Sequence, residues 1–282
     1  MKKLLGILVL ILFNLQNSST AEIIQSTGKY YALVIGNNNY EHFEKLDAAV
    51  NDAKVLAGVL ENNYGFEVTL LINADHKTTI DSMYATSRKL TKDDNLLIFY
   101  AGHGKIDKKE NRGYWLPVDA SIESRSKWIS SAFITDQIRV TDAKHVLLIV
   151  DTCYGGIFDG RKMQNGFMSV KDFRLTIDDK YIEDVINNRK NKKYMEYKYK
   201  KKSREVFASG GMQPVLDSDG NIHSPFSEML INILKENKSV IGIIEVFEKV
   251  RLHVVSNYEQ LPVYGHLFYG ADDGEFLFFA KN

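Results

Sequence analysis

The sequence predicts an α/β fold in which helices cover both faces of a mostly parallel β-sheet. Several short runs are apolar at every position, and segments with a helical spacing of apolar residues separate them. Strands that are apolar throughout are typical of parallel sheets buried on both faces. With 44% hydrophobic residues among 282, the chain can fill a sizeable core. There is no internal repeat and no compositionally distinct second segment, so we expect one domain.

Strands and helices are predicted to alternate in the first part of the chain. An apolar run beginning at Tyr30 is closed by Gly36 and three asparagines, which indicates a buried strand followed by a loop. The helix that follows carries its apolar residues on one stripe. The predicted strands are 30–35, 66–72, 95–100 and 144–150, with a short extended piece at 113–118; the predicted helices are 47–61, 78–90 and 130–139.

The pattern is weaker in the remaining part of the chain. Segment 189–204 contains nine basic residues and one acid, Glu196, and we expect it to be an exposed loop because it offers little to bury. A fifth strand is predicted at 205–209. Two helices at 225–237 and 240–256 and a final strand at 275–280 complete the prediction.

The N-terminus is typical of a secretory signal peptide. Lys2 and Lys3 precede an apolar run over 4–13 that is too short for an ordinary membrane-spanning helix. Small residues then lead to Ala21, where we expect cleavage, so that 1–21 is removed. The alternative is a membrane anchor that is not cleaved.

The mature domain, residues 22–282, is therefore expected to be secreted or periplasmic. No other stretch is long and apolar enough to span a bilayer, so we expect no stable membrane span after signal removal. The 36 basic residues balance the 36 acidic ones, which argues against nucleic acid or an anionic membrane as the main partner.

Two predicted strand ends carry the residues of greatest chemical interest. The third strand is followed by Gly102, His103 and Gly104, and the fourth by Cys153, the single cysteine of the chain. Consecutive parallel strands are usually neighbours, and active sites form at the carboxyl ends of such strands. His103 and Cys153 are therefore predicted to face each other. A lone cysteine is more often an inert core residue, and that alternative stays open on the pattern alone.

The pair has the chemistry of a thiol hydrolase. The thiolate is the nucleophile, and a nearby imidazole can take the thiol proton and later protonate the leaving amine. The flanking glycines would let a substrate backbone approach. The backbone N–H groups of Cys153 and Gly104 are candidates for an oxyanion hole. The other histidines have weaker contexts: His145 lies at the start of its strand, and His223 lies in a polar turn.

A series of ordered motifs resembles the caspase-like cysteine peptidases (peptidase C14), most closely their bacterial and metacaspase branches. The resemblance extends from about Tyr31 to the C-terminus. The motifs are Ala32-Leu33-Val34-Ile35-Gly36-Asn37, Asn51-Asp52-Ala53, Tyr100-Ala101-Gly102-His103-Gly104, Tyr114-Trp115-Leu116-Pro117-Val118-Asp119, residues 145–156, and Ser203-Arg204-Glu205-Val206-Phe207-Ala208-Ser209-Gly210-Gly211. The sequence departs from metacaspases in having Tyr154-Gly155-Gly156 after the cysteine and Ala101 before Gly-His-Gly.

The resemblance implies a six-stranded, mostly parallel sheet and a cysteine endopeptidase with a catalytic dyad of His103 and Cys153. Gly104 falls on the glycine of the oxyanion hole. Asp52 and Asp151 fall on aspartates that bind an arginine or lysine before the cleaved bond, and Ser209 is placed with them in the substrate-binding site. The expected partner is thus a peptide or protein with a basic residue before the cleaved bond.

Electrostatics favours the same specificity. Two residues apart on a strand, Asp151 and Cys153 would share a face, and a carboxylate beside a thiolate raises the thiol pKa unless a cation compensates. Asp52 lies on the apolar band of its helix and needs a partner. The alternatives are that Asp151 caps the next helix and that Asp52 is a buried acid bonded to nearby backbone.

The basic segment 189–204 is also a candidate for self-cleavage of a zymogen, with a solvated or acid-binding loop as the alternative. No metal site or cofactor is expected. Some metacaspases need calcium, but the acidic pairs at 178–179 and 272–273 do not have the spacing of a calcium loop. The competing functions are a catalytically silent caspase-like binding module and another thiol chemistry such as transpeptidation.

Overall fold

The computed structural model describes residues 28–107, 109–110, 112–152, 183, 187–188, 192–211, 215–218, 220–267 and 273–281. The predicted signal peptide at 1–21 lies outside the described residues, and so does Cys153. None of the helices in these ranges is long and apolar enough to cross a bilayer.

The described residues form strands and helices that we number in chain order. The strands are β1 (Tyr30–Gly36), β2 (Glu67–Ile72), β3 (Asn95–Ala101), β4 (Gly104–Asp107), β5 (Arg112–Trp115), β6 (Ile129–Ser130), β7 (His145–Asp151), β8 (Ser203–Ala208), β9 (Val240–Gly242), β10 (Val263–His266) and β11 (Leu277–Phe279). The helices are α1 (Ala49–Val59, continued by a π-turn over Leu60–Tyr64), α2 (His76–Lys89), α3 (Ser131–Val140), α4 (Lys192–Lys200), α5 (Pro225–Glu236) and α6 (Ile243–Asn257).

Six strands form the central sheet in the order β10-β8-β7-β3-β1-β2. All neighbours are parallel except β10, which pairs antiparallel with β8 at the edge. Helices cover both faces: α1, α5 and α6 pack on the face that includes Val34, and α2 and α3 pack on the face that includes Leu33. Every residue of β3 and β7 is consequently buried. The predicted α/β fold with a mostly parallel six-stranded sheet is confirmed.

The final predicted strand does not belong to this sheet. Its residues form β11, which pairs with β9 in a separate two-stranded sheet, and the helix predicted from residue 240 begins only at Ile243. The sixth strand of the main sheet is β10, which the sequence prediction missed. It is only four residues long and contains Gly265, so its β-propensity is weak and its pairing with β8 decides its conformation.

The basic segment is not a loop in its described part, which corrects the prediction for 189–204. Residues Lys192–Lys200 form α4, and Lys198 and Tyr199 at its C-terminal end are buried. The Nε2 of His145 donates to the carbonyl oxygen of Tyr199 (2.8 Å), and its Nδ1 accepts from the hydroxyl of Ser203 (3.0 Å). Burial lowers the pKa of His145 to about 4, which keeps the imidazole neutral for this role. These contacts fix α4 against the start of the sheet.

Candidate active site

The carboxyl ends of β3 and β7 lie side by side. Ala101 pairs with Asp151, and the backbone N–H of Gly102 donates to the carbonyl oxygen of Asp151 (3.3 Å). The prediction that these strands are neighbours is confirmed. His103 follows Ala101 by two residues, as Cys153 follows Asp151. Because Cys153 lies outside the described residues, its approach to His103 stays a prediction.

Two buried tyrosines hold the backbone of His103. The hydroxyl oxygen of Tyr40 accepts the His103 N–H (2.7 Å), and the hydroxyl of Tyr100 lies 2.8 Å from the His103 carbonyl oxygen and 3.0 Å from that of Leu116. Burial raises the pKa of both tyrosines, so they remain protonated at neutral pH. The backbone of His103 is thus fixed at both its N–H and its carbonyl group. The sequence pattern identified neither tyrosine as functional.

Gly102 is required by this arrangement. Its φ angle is +157°, and a Cβ placed there would lie 2.6 Å from the Tyr40 hydroxyl oxygen and 3.0 Å from that of Tyr100. The sequence prediction attributed this glycine to access for a substrate backbone. The described contacts give another reason, since the tyrosine hydroxyls occupy the space of a side chain.

A backbone carbonyl orients the imidazole of His103. The Nε2 atom donates to the carbonyl oxygen of Glu44 (2.7 Å), and the Tyr40 ring packs with its centroid 4.6 Å from that of the imidazole. With the proton on Nε2, Nδ1 is the atom that can accept a proton from a nucleophile. If Cys153 is the nucleophile, as the sequence predicts, the Glu44 carbonyl is the group that orients its base. Sequence gave no signal for it, because every residue has a carbonyl.

A cavity of about 180 Å³ lies beside His103. Three acidic residues line it, Asp52, Asp151 and Asp217. The sequence prediction had named the first two, which the fold now brings together, and had missed the third. The residues that line the cavity are Leu46, Ala49, Asp52, Ala101, Gly102, His103, Asp151, Thr152, Val215, Leu216, Asp217 and Ser224.

Asp151 is held by two serines at the start of α5. Its Oδ2 accepts from the hydroxyls of Ser224 (2.5 Å) and Ser227 (2.7 Å), and only 7% of the residue is exposed. Burial raises the pKa of Asp151, and these hydroxyls oppose the rise while the charge of Asp217 adds to it. The residues after Thr152 lie outside the described part, so a helix cap by Asp151 is untested.

Asp52 sits in α1 and is almost fully buried, with 1% exposed. Its Oδ1 lies 2.5 Å from Nδ1 of His223, and its Oδ2 accepts from the backbone N–H of Ser224 (3.2 Å). Burial raises its pKa to about 8, and the nearby charges of Asp151 and Asp217 add to the rise. Asp52 therefore lines the cavity and also bonds to backbone, as the alternative interpretation expected, while its contact with substrate stays a prediction.

Asp217 reaches the cavity from a segment between β8 and α5. Its carboxylate accepts from the backbone N–H groups of Asp47 (2.6 Å) and Ala48 (3.4 Å) at the N-terminus of α1, where a negative charge is favourable. In sequence it belongs to a polar stretch that is typical of a turn. Nothing in its spacing distinguishes it from other loop aspartates.

Ser209, the other predicted substrate-binding residue, lies behind the cavity rather than in its wall. It is fully buried directly after β8, where its N–H donates to the Val150 carbonyl oxygen (2.9 Å). Its hydroxyl lies near enough to Asp151 to lower that pKa, although it forms no close hydrogen bond within the described residues. Direct contact between Ser209 and substrate stays a prediction.

Gly104 opens β4 directly after His103 and pairs with Trp115, and its part in an oxyanion hole stays a prediction. Within the described ranges, no group of three or more histidine, cysteine or acidic side chains is arranged to hold a metal ion. The acidic pair 178–179 and one member of the pair 272–273 lie outside these ranges.

Taken together, the described residues place an imidazole of fixed orientation beside a confined cavity lined by three carboxyl groups. Three carboxyl groups in low-dielectric surroundings repel one another unless a cation or a proton joins them. An occupant of the cavity that carries a positive charge would relieve this repulsion.

Comparison with known proteins agrees with this architecture. The family model of peptidase C14, described as the caspase domain, matches residues 29–267. A paracaspase of Dictyostelium discoideum is 27% identical over 149 residues, which are 51% of this chain and 35% of the relative. The chain thus matches about a third of the length of that curated relative.

Two solved structures share the fold. A protein of Geobacter sulfurreducens superposes with a TM-score of 0.56 and 18% identity, covering 84% of this chain and 92% of its own. Caspase-1 of Spodoptera frugiperda gives a TM-score of 0.56 and 15% identity, covering 88% and 92%.

Proposed function

This chain belongs to the peptidase C14 family of caspase domains, and from that membership together with its acidic cavity we propose that it is a cysteine endopeptidase that cleaves after arginine or lysine. The family supports a protease-type function and protein substrates. The specificity is supported by one observation above all, the convergence of three carboxyl groups on a cavity beside an oriented histidine.

The proposed reaction uses a thiolate and an imidazole in two stages. His103 takes the proton of the Cys153 thiol, and the sulfur attacks the carbonyl carbon of the scissile bond. The N–H groups of Gly104 and Cys153 bind the oxyanion, and His103 returns the proton to the leaving amine. Water, deprotonated by His103, then hydrolyses the thioester and regenerates the thiol.

A set of fluorogenic peptides that differ only in the residue before the cleaved bond tests the specificity. Arginine and lysine peptides are expected to be cleaved, whereas citrulline, which keeps the shape of arginine without its charge, should lower kcat/KM about 30-fold or more. The Cys153→Ala protein serves as the inactive control. A preference for aspartate or citrulline would contradict the proposal.

Active-site labelling separates a peptidase from a silent binding module. An arginyl chloromethylketone should add one alkyl group to Cys153 of the parent protein, as measured by intact mass, and a His103→Ala variant should react much more slowly. Absence of labelling together with absence of cleavage would favour the silent module. An added amine acceptor, incorporated into product, would instead reveal transfer.

We further propose that the protein is exported by residues 1–21 and is cut by itself in the basic segment 189–204. The basic composition of that segment and the proposed specificity support self-cleavage. N-terminal sequencing of the mature protein beside its Cys153→Ala variant tests both, because signal removal should occur in each and the internal cut only in the parent.

A further inference from the structure

His223 is the one histidine in contact with the carboxyl groups of the cavity among the described residues. It lies just before α5, and its Nδ1 is 2.5 Å from Oδ1 of Asp52. The side chain of His223 is 13% exposed, whereas that of Asp52 is 1% exposed. The ring therefore lies between a buried carboxyl group and solvent.

The other oxygen of Asp52 is already engaged. Its Oδ2 accepts from the N–H of Ser224, so the contact with His223 completes the hydrogen bonding of the carboxyl group. Asn51 lies beside both ring nitrogens, at 3.2 and 3.3 Å, and bonds to the carbonyl oxygen of Ile222. The imidazole is thus held in place on its outer side as well.

The charges around this pair favour an extra proton when the cavity is empty. Asp151 at the end of β7 and Asp217 from the segment between β8 and α5 both act on Asp52, and both are negative when ionised. Burial lowers the pKa of His223, and of the charges on α5 Glu228 opposes this change while Lys235 adds to it. His103, across the cavity, is held by the Glu44 carbonyl and does not bond to these carboxyl groups. Burial raises the pKa of Asp52 to about 8, in the direction of a retained proton.

We propose that the Asp52–His223 pair holds one exchangeable proton in the empty cavity, and that entry of an arginine or lysine side chain expels it through the imidazole. This inference rests on the proposed basic specificity. A guanidinium or ammonium group supplies the positive charge that the proton supplied before. The carboxylate then stays ionised, and the neutral imidazole continues to donate from Nδ1 to Oδ1 of Asp52.

His223 is a positioning residue in this scheme, because it acts on substrate through Asp52. The proton leaves the pair for solvent as the cation enters, so binding of a basic residue weakens as the pH falls. The effect belongs to binding of the basic residue and not to the chemistry at the scissile bond. KM for an arginine peptide should therefore fall by about tenfold between pH 6 and pH 8, while KM for the citrulline peptide stays constant.

Calorimetric binding to the Cys153→Ala protein measures the proton directly. An uncleaved arginine peptide is titrated at pH 7 in phosphate and in Tris, whose ionisation enthalpies differ, and the difference gives the number of protons released. We expect a value approaching one for the arginine peptide and near zero for the citrulline peptide. Binding of the arginine peptide without proton release would overturn the inference while leaving the proposed specificity intact. Absence of any binding preference for arginine would overturn the proposed specificity itself.

Two variants assign the proton to His223. In His223→Asn, the amide can still donate to Oδ1 of Asp52 but has no ring nitrogen that can hold the proton, so proton release and the pH slope of KM should fall to half or less. His253→Asn, on the outer face of α6, should match the parent. If His223→Asn keeps the parental proton release and slope, the proton belongs to the carboxyl groups alone and the role of His223 is refuted.

Discussion

At the residue scale, the candidate site depends on groups that a sequence does not mark. The peptide of His103 is fixed by the hydroxyls of Tyr40 and Tyr100, and its ring is oriented by the Glu44 carbonyl. Such contacts limit the imidazole to one tautomer and one direction, which a general base requires. Substitutions near His103 should thus act through geometry as well as through chemistry.

Gly102→Ala should abolish most activity and destabilise the fold. The added methyl would meet the Tyr40 hydroxyl at 2.6 Å, and alanine does not favour a φ of +157°. We expect a loss of about 2–4 kcal/mol of unfolding free energy, measured by urea denaturation, and a lower kcat.

Gly58→Ala provides the matched control for this change. It lies within α1, and its added methyl would have only the Asn62 side chain near it, at 3.9 Å. We expect it to leave activity unchanged and to raise stability by about 0.5–1 kcal/mol. Equal effects of the two substitutions would contradict the steric explanation.

Asp217→Asn should weaken the binding of basic substrates. The side chain keeps an oxygen that can accept from the Asp47 N–H, but the charge of one of the three carboxyl groups that line the cavity is lost. Steady-state kinetics should show kcat/KM for the arginine peptide reduced about 10- to 100-fold and that for the citrulline peptide nearly unchanged.

The exposed Asp136→Asn on α3 makes the same change in net charge and should behave as the parent does. A parallel loss for the arginine and citrulline peptides in Asp217→Asn would indicate structural damage in place of lost charge.

At the scale of elements, the local sequence pattern predicted the inner strands of the sheet and failed for the elements at its edges. Strands β1, β3 and β7 are nearly all apolar between their ends because both faces are covered, so composition alone identifies them. Strand β10 and helix α4 depend on contacts distant in sequence: β10 on its pairing with β8, and α4 on the bond from His145 to Tyr199. Asp217 and His223 were missed for the same reason, since only the fold brings them to α1.

Helix α4 limits the positions at which self-cleavage can occur. A peptidase needs several residues of extended chain, and the C-terminal end of α4 is fixed, with Lys198 and Tyr199 buried. The carbonyl oxygen of Lys202 accepts from the Gly274 N–H (3.1 Å), which also holds the chain beyond the helix. The described contacts thus disfavour a cut between Lys198 and Lys202.

We therefore expect the internal cut to follow a basic residue of 189–204 that precedes Lys198. Peptide mapping by mass spectrometry of the processed parent, with intact Cys153→Ala protein as the control, identifies the new termini. A cut after Lys198 or Lys200 would mean that α4 unfolds before processing, contrary to this expectation.

For the molecule as a whole, buried carboxyl groups tie stability to pH. Glu205 in β8 is fully buried, accepts from the Tyr264 hydroxyl and the Phe276 N–H, and lies near the second buried acid Glu275. Burial, with the charge of Glu275, raises its pKa from 4.5 to about 8, and burial raises that of Asp52 from 3.8 to about 8. The folded state holds these protons more tightly than the unfolded state, so stability falls as the pH rises toward 8.

The effect of His145 on stability changes with pH in the opposite direction. It therefore limits the pH range in which the effect of the carboxyl groups can be measured alone. Its pKa is lowered by burial from 6.5 to about 4, so its contribution to stability is lost as the pH falls from 6.5 to 4. Below pH 6.5 the histidine therefore offsets part of the carboxyl effect. Between pH 6.5 and 8 only the carboxyl groups change, and each contributes a loss of up to about 2 kcal/mol.

The unfolding free energy of the parent should accordingly decrease from pH 6.5 to 8, and Glu205→Gln should remove about half of that decrease. Glutamine can still accept from the Phe276 N–H, but it has no proton to lose and no charge to place beside Glu275.

Urea denaturation at pH 6.5 and pH 8 measures this change in unfolding free energy. Glu236→Gln, on the exposed end of α5, is the control and should keep the parental decrease. A slope equal to that of the parent in Glu205→Gln would exclude Glu205 as a source and assign the decrease to the cavity carboxyl groups. Because Asp52 also lines the cavity, the stabilisation that a bound basic peptide gives to Cys153→Ala protein should grow as the pH rises, which offsets the Asp52 share of the decrease and would couple substrate binding to the proton balance of the fold.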